Sequence, residues 1–533
     1  MAKALRDYAN RTIPVTEPLN NRQVANNGGG FSFAVSDKVR LERFLILGTD
    51  SGTYYVGEMD LTKQNVNFII DLIKRDEDLV RNTAVEISKA GRAYRNDAAV
   101  FVMALLLVHG RNKALTVAAI PDVVRTATHV YDLAGFISAF GGWGRAKRDA
   151  VNAWFASKSA DELAYQAVKY RQRNGWTLRD LMRLSHPKGV DKNVGHFILK
   201  GDVIYEAPDL LHSFKVMQTA QSVEHVLRVL DNNKNLPWET IPTQFLNDPK
   251  VWKKLFENGQ LKGQALIRQI TRMAKLGMFD DMGFARKIAD AMRDEEMIRR
   301  TRLHPMQFLN GYVVYTQGQI PRGSGNGYWG GISRQKSWNT SGIIQDGLDD
   351  GFGLSFGNIE PSNKNIMISV DVSGSMSWCA AGTSNFTCAQ AAGAMALVTA
   401  RVEPQYVVNG FAGDLVNLGL TARDSIESAF AKVQRNNFGS TNPSAPLKKA
   451  IRDRIPVDTF VIITDNEVNS GTHVHRELVE YRRKTGINAR MVVMGMAANN
   501  FTIADPLDSG MLDVVGFDSN TSKVVSDFSA RRI

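Results

Sequence analysis

The residues best placed to do chemistry lie in the last third of the chain. Asp371-Val372-Ser373-Gly374-Ser375 sets one carboxylate and two hydroxyls on alternate positions of a glycine-containing turn. Such a turn can aim its oxygens at one point, and an array of oxygens is what a hard divalent cation takes, Mg2+ first, with Mn2+ or Ca2+ as alternatives. Asn437-Phe438-Gly439-Ser440-Thr441-Asn442 can add a hydroxyl from Thr441, and Thr464-Asp465-Asn466 a second carboxylate. The expected metal ligands are Asp371, Ser373, Ser375, Thr441 and Asp465, with a coordination position left for a partner carboxylate or phosphate. His473-Val474-His475 looks like a ligand pair, but no third ligand accompanies it, and a surface position at a helix start is expected. There is no Walker A motif, nucleophile elbow or HExxH. A two-metal nuclease would need more clustered acids than two. No catalytic residue is assigned, and the chain is read as a non-enzyme.

A second cluster is basic. The stretch 160–173, ADELAYQAVKYRQR, reads as one helix on which Lys169 and Arg173, four apart, share a face. Lys169, Arg171 and Arg173, with Tyr165 and Tyr170 interleaved, suit a phosphate backbone. After a turn at Asn174-Gly175-Trp176, a second helix from Thr177 to Ser185 adds Arg179, Arg183 and, at its end, His186. Contacts of this kind attract and position RNA without reading its sequence.

The elements that must position these residues fall into two grammars. From about Leu61 to Tyr315 the pattern is helical. Val66, Ile69, Ile70 and Ile73 recur at helical spacing, as do Val80, Thr83, Ala84 and Ile87, and again Val223, Val226, Leu227 and Leu230. Val123, Thr126, Ala127 and Val130 repeat it, with Pro121 as a first-turn residue. Many helices on short loops suit a HEAT-type helical repeat of about 40 residues per unit. Residues 316–350, rich in Gly, Ser and Asn, read as a connection. Gly325, Gly327 and Gly330 there match GxGxxG, but without the flanking strand and helix that a dinucleotide site needs. After about Glu360, short apolar runs alternate with helices: Ile366–Asp371, Tyr406–Phe411, Asp458–Thr464 and Ala489–Met494, around helices at Ala389–Val402 and Val474–Arg483. That is a parallel sheet covered on both faces, whose ligands sit at the carboxyl ends of its strands, where Asp371 and Asp465 fall. The division is 1–360, with a connection at 315–360, and 361–533. The metal pattern on such a sheet resembles the metal-ion-dependent adhesion site of von Willebrand factor A domains.

The 533 residues are 44% hydrophobic and 22% charged, which excludes a disordered or fibrous chain. The longest apolar run, Ala98–Val108, has 11 residues. A membrane span needs about 20, so a buried core helix is expected. No secretory h-region follows Met1. With two cysteines, Cys379 and Cys388, no disulfide framework is possible, and a reduced, cytoplasmic setting is expected. The net charge is +11, and +7 of it falls in residues 141–200. That concentration points to a polyanion partner, most simply nucleic acid.

Taken together, these stretches resemble the Ro ribonucleoprotein (TROVE-module) family, that of the 60 kDa SS-A/Ro autoantigen of animals and its bacterial relatives. The resemblance rests on RFLILGTDSGTYYVGE (43–58), WGRAKRDAVNAWF (143–155), KYRQRNGWTLRDLMRLSHPK (169–188), RLHPMQFL (302–309), DVSGSM (371–376), TDNE (464–467) and FTIADPLDSGMLDVVGFD (501–518), which together span nearly the whole chain. It implies a ring of HEAT-like helices closed by the A-type α/β domain. It implies Y RNA on the basic outer surface, through Lys169, Arg173 and His186, and single-stranded 3′ ends of misfolded noncoding RNA in a central hole. It also implies work with a ring-shaped 3′ exoribonuclease on noncoding RNA, rRNA precursors included, in quality control and stress response. A monomer with no membrane partner is expected. Two departures stand out: the loop between Tyr315 and Ser362, and Asn442, where relatives often carry an acid after the metal-site Thr. The divergence points to a bacterial member. The rival readings are a partner-binding scaffold acting through the metal site without RNA, and a hydrolase using the cation.

Overall fold

The computed structural model describes residues 13–49, 53, 55–56, 58–318, 338–357, 359–378, 380, 385–435 and 439–533. Two compact units result. One takes the chain up to Val66, together with Arg92–Tyr94 and Phe352–Ile533; the other takes Asn67–Gly91 and Arg95–Gly351. The first therefore joins the early residues to the late ones, and its boundary is not a single cut at 360.

In that unit the strands are β1 (Gln23–Ala25), β2 (Phe31–Ala34), β3 (Ile366–Asp371), β4 (Tyr406–Phe411), β5 (Leu415–Val416), β6 (Thr459–Thr464), β7 (Arg490–Gly495), β8 (Phe501–Thr502) and β9 (Met511–Val515). Six make a sheet in the order β5-β4-β3-β6-β7-β9, parallel except for β5. Every residue of β3 and β6 is buried. Helices cover both faces of such a sheet, which is why these strands are unbroken apolar runs and do not alternate. The order places β4 and β6 on opposite sides of β3. The chain leaves β3 toward β4 and leaves the adjacent β6 toward β7, in opposite directions, and a crevice opens at the strand ends between them. A core of Met367, Phe460, Ile462, Leu478, Tyr481, Met491 and Val493 backs it. The short sheet β1-β2-β8 is antiparallel and pairs Phe33 with Thr502 and Ala34 with Phe501.

The other unit is helical. Helix Asp97–His109 carries the apolar run and buries eight residues between Ala99 and Leu107. It packs on Ala127–Ala139, while Lys113–Val123 packs on Arg145–Ala156, so neighbours two apart in sequence stack side by side. Glu77–Ala90 buries Val80, Thr83, Ala84 and Ile87, as the spacing predicts. Among the described residues, no helix is long and apolar enough to cross a membrane.

Two expectations about these helices are corrected. Pro121 sits in the last turn of Lys113–Val123, not in a first turn, and the next helix starts after the Thr126 cap. The spacing Val123–Val130 therefore bridges two helices. Of the stretch 316–350, Gly342–Leu354 is helix, with Ile344 and Leu348 fully buried. Its glycines serve close packing: a Cβ on Gly347 would lie 2.9 Å from Ala289, and one on Gly351 would lie 2.3 Å from the Phe308 ring. Gly325, Gly327 and Gly330 lie outside the described residues, as do Cys379 and Asn437.

Candidate functional site

β3 and β6 are adjacent and end side by side, which brings the two acid-bearing turns together. Asp371 is fully buried. Its Oδ1 accepts the Ser373 amide at 2.9 Å, and its Oδ2 accepts the Thr464 hydroxyl at 2.5 Å. The Ser373 and Ser375 hydroxyls lie 3.2 Å apart. Asp465 Oδ1 accepts the Glu467 amide at 3.0 Å, and the Ser375 side chain also hydrogen-bonds Asp465. Thr441, 1% exposed, reaches the same loops through its backbone. Its N–H donates to Asn469 Oδ1 at 2.8 Å, its carbonyl accepts from Asn469 and Ser470, and Gly374 N–H donates to Gly439 O. Asn442 is tied up structurally: its Oδ1 accepts from Ser444, and its amide donates to Gly413 O.

The electrostatics of this cluster are one-sided. Burial pushes the Asp371 carboxyl up to about 6, against the hydrogen bonds of Ser373 and Thr464. Burial, and then the charges of Asp371 and Glu467, push Asp465 well above the usual carboxylate range. Among the described residues no Lys or Arg pairs with Asp371 or Asp465. Two buried, mutually repelling carboxylates with the buried hydroxyls of Ser373, Ser375 and Thr464 beside them form an all-oxygen donor set. That set fits a hard divalent cation, the species that would neutralise it.

Three neighbours that sequence reasoning left without a role hold this cluster. Glu467, fully buried, accepts from Asn27 Nδ2 at 2.9 Å and Gly28 N–H at 3.0 Å, and burial pushes it up to about 7. Asn499 Nδ2 donates to Asp465 O at 2.5 Å. Arg43, with no exposed surface, donates from Nη1 to Asn499 Oδ1 at 2.7 Å and Phe501 O at 2.7 Å, and from Nη2 to both oxygens of Asp513 at 2.8 and 2.9 Å. One signal was available for Arg43: a lone cation beside the apolar run Phe44–Leu47.

His473 and His475 are not surface residues. They are 2% and 8% exposed. His473 takes Gln23 Nε2 at 3.0 Å on one ring nitrogen and Glu17 O at 2.9 Å on the other, both from the distant early segment. Burial, then the neighbouring His473, drives His475 down to about 4. His473 is a satisfied core histidine, and His475 packs edge to face on Phe33 with ring centres 4.9 Å apart.

In the helical unit the helix expected over 160–173 stops at Lys169. Tyr170 is extended, and its carbonyl accepts the Tyr131 hydroxyl at 2.8 Å in place of a helical amide. Asn174 and Gly175 both take positive φ, and Arg173 pairs with Trp176 through both backbone bonds. An Asn-Gly turn of this kind needs extended flanks, so Arg173 cannot continue the helix or share its face with Lys169. Each cation is instead held separately. Lys169 Nζ donates to Tyr165 OH at 3.0 Å and sits 5.2 and 5.4 Å from the ring centres of Tyr165 and Tyr170. Arg173 Nε bonds Asp132 at 2.9 Å, and Asn174 Nδ2 bonds the same carboxylate at 2.7 Å. Arg171 lies over the Phe214 ring and bonds Gln218. The second helix, Leu178–Ser185, has a Thr177 capping box and ends on His186 in the left-handed region. Arg173, Arg183 and His186 are exposed. Asp132 was missed in the sequence; it is an acid on the apolar face of Val130, Leu133 and Ile137, where it interrupts the pattern.

Residues 365–529 match the Ro60 vWA domain, and residues 24–226 and 231–321 match the TROVE domain. A curated relative from Deinococcus radiodurans, RNA-binding protein RO60, is 35% identical over 99% of both chains. One from Caenorhabditis elegans, of the same name, is 29% identical over 97% of this chain and 91% of its own. The crystal structure of the Deinococcus radiodurans RO (RSR) protein is 33% identical, superposes with a TM-score of 0.68, and covers 93% of this chain and all of its own.

Proposed function

This chain belongs to the Ro60 family, and from that premise we propose that it binds structured small noncoding RNA of the Y RNA type through Lys169, Arg171, Arg173, Arg183 and His186. The observation that carries the reading is the way the first three cations are held. Lys169 is pinned between two tyrosines, Arg171 on Phe214, and Arg173 on the buried Asp132. A cation already fixed in place loses little side-chain freedom when it meets a phosphate. On the family resemblance, the second activity is capture of single-stranded 3′ ends of misfolded noncoding RNA in a central hole. That capture delivers RNA to a 3′ exoribonuclease for maturation or decay in the cytoplasm, with this chain acting as a non-enzymatic scaffold.

The buried oxygens of Asp371, Ser373, Ser375, Thr441 and Asp465 would hold a divalent cation, Mg2+ first. When bound, it supplies a positive point to which an acidic group of a partner can attach. The chain's own residues orient those oxygens: Thr464 fixes one oxygen of Asp371, and Asn499 fixes the loop of Asp465.

The test is fluorescence anisotropy of a small structured RNA with wild type and with Lys169→Ala/Arg173→Ala, over a salt series. Each lost phosphate contact flattens the salt slope by about 0.9, so the double variant should bind more weakly with a slope lower by about 1.8. Absence of binding by wild type at low salt overturns the RNA reading and turns attention to a protein partner at the metal cluster.

A further inference from the structure

The basic segment does not end at its aromatic turn. Trp176, whose backbone pairs with that of Arg173, meets Trp143 edge to face with ring centres 5.6 Å apart. Trp143 is held by its own indole N–H, which donates to Ser138 Oγ at 3.2 Å. Both rings are half-buried, so each keeps part of its surface open to solvent. The residue before Trp143 is Gly142, whose carbonyl accepts Lys147 Nζ at 2.8 Å. Lys147 lies in the first turn of Arg145–Ala156, and Lys113 opens Lys113–Val123, the helix that packs on it. Among the described residues, Lys113 and Lys147 form no ion pair, while Lys74 bonds the exposed Asp71. Glu77, close by in sequence, is taken up by Arg81 and by the amides of Arg111 and Asn112. Contacts thus run from Arg173, across two tryptophans, to Lys147, with Lys113 on the helix packed beside it.

We propose that Trp143 and Trp176 are a stacking platform for unpaired bases of RNA, and that Lys147 and Lys113 carry the phosphates of that single strand away from the Lys169–His186 segment. The inference rests on the RNA reading of that segment and adds what the cations alone lack. Phosphate contacts cannot tell a paired strand from an unpaired one, whereas an open indole face accepts only a base free to leave its stack. Bases of any identity offer a π-face, so the preference is for single-strandedness and not for sequence. The ligand class is a structured RNA bearing an unpaired extension next to its helix.

The experiment uses the full chain and two RNAs: a blunt-ended hairpin, and the same hairpin with an unpaired extension carrying one 2-aminopurine. Wild type should bind the extended hairpin more tightly and change its 2-aminopurine fluorescence. Trp143→Ala/Trp176→Ala should lose about tenfold or more in affinity for the extended hairpin, keep the blunt one within about twofold, and abolish the fluorescence change. Trp143→Phe/Trp176→Phe, which keeps the rings, should retain most of both. Should the alanine pair not fold, Lys113→Glu/Lys147→Glu reads the same track through a selective loss of the extended RNA. Equal binding of both RNAs by wild type, or equal loss of both in the variants, overturns the platform and leaves the outer-surface reading standing. Binding of neither RNA by wild type overturns both.

Discussion

Arg43 offers the sharpest test of how the early segment supports the metal cluster. Its guanidinium, itself without exposure, makes two bonds to Asp513, two to Asn499 and one to Phe501. Arg43→Met keeps much of the volume and removes every one of these bonds. It also leaves Asp513 with the Thr502 hydroxyl as a remaining donor. Breaking a buried ion pair from one side costs about 3–5 kcal/mol. For a unit of this size, about 2–4 °C is lost per kcal/mol, so the melting temperature should fall by about 6–20 °C. The loss should depend on pH in a definite direction. Burial already pushes Asp513 up against the pull of Arg43, and without that charge the carboxyl rises further. A carboxyl whose folded pKa exceeds its unfolded value destabilises as pH rises through that window, so the deficit should be larger at pH 8 than at pH 5. Asp513→Leu alone strands the cation and should also be costly, whereas the double variant Arg43→Met/Asp513→Leu should regain most of the loss. Differential scanning fluorimetry at the two pH values, backed by urea denaturation, reads all of this. A deficit under about 1 kcal/mol, one independent of pH, or a double variant no better than Arg43→Met would refute the reasoning.

Three further predictions follow from the same unit. Mg2+ or Mn2+ at a hundred times its dissociation constant should raise stability by about 2.7 kcal/mol; Asp465→Asn should remove that gain while raising the melting temperature in chelator, because it discharges one of two repelling buried carboxylates. Gly30→Ala would put a Cβ 2.3 Å from Val468 O, and should cost about 1–3 kcal/mol and speed amide exchange in β1 and β2. His475, driven down to about 4, takes up its proton in the unfolded chain first. Stability is therefore present above the unfolded value of about 6.5 and falls below it, by at most about 1.4 kcal/mol per pH unit, and His475→Asn should flatten that acid limb in a pH series of thermal melts.

Much of the site was legible because its signals are local. A strand buried on both faces must be an apolar run, so β3 and β6 announced themselves, and the acids directly after them fell where a parallel sheet opens. The helical spacing of Val80 to Ile87 and of Val223 to Leu230 needed only a solvent side and a core side. The failures are those of non-local partners. Whether Lys169 and Arg173 share a face was decided by Tyr131, which takes the Tyr170 carbonyl from some forty residues upstream, and by the extended flanks that Asn174-Gly175 demands. His473 and His475 read as polar surface because Glu17 and Gln23, which bond the first, and Phe33, which packs on the second, are hundreds of residues away. Glu467 and Arg43 stood inside recognisable motifs, yet nothing adjacent in sequence showed what each would touch.

The pairing of the early segment with the late one also sets a schedule. Arg22 and Asp505, joined by two hydrogen bonds, are 483 residues apart, and β2, paired with β1 along one edge, finds the partner for its other edge in β8. At about 5–20 residues per second of synthesis, the second edge of β2 waits roughly 25–95 s on the ribosome before its ladder with β8 can close. Throughout that interval Phe31 and Phe33 expose an unpaired edge, the feature that chaperones and misassembly both exploit. The nascent chain is thus vulnerable in a segment made long before its partner, and a translational pause late in the message would lengthen that exposure.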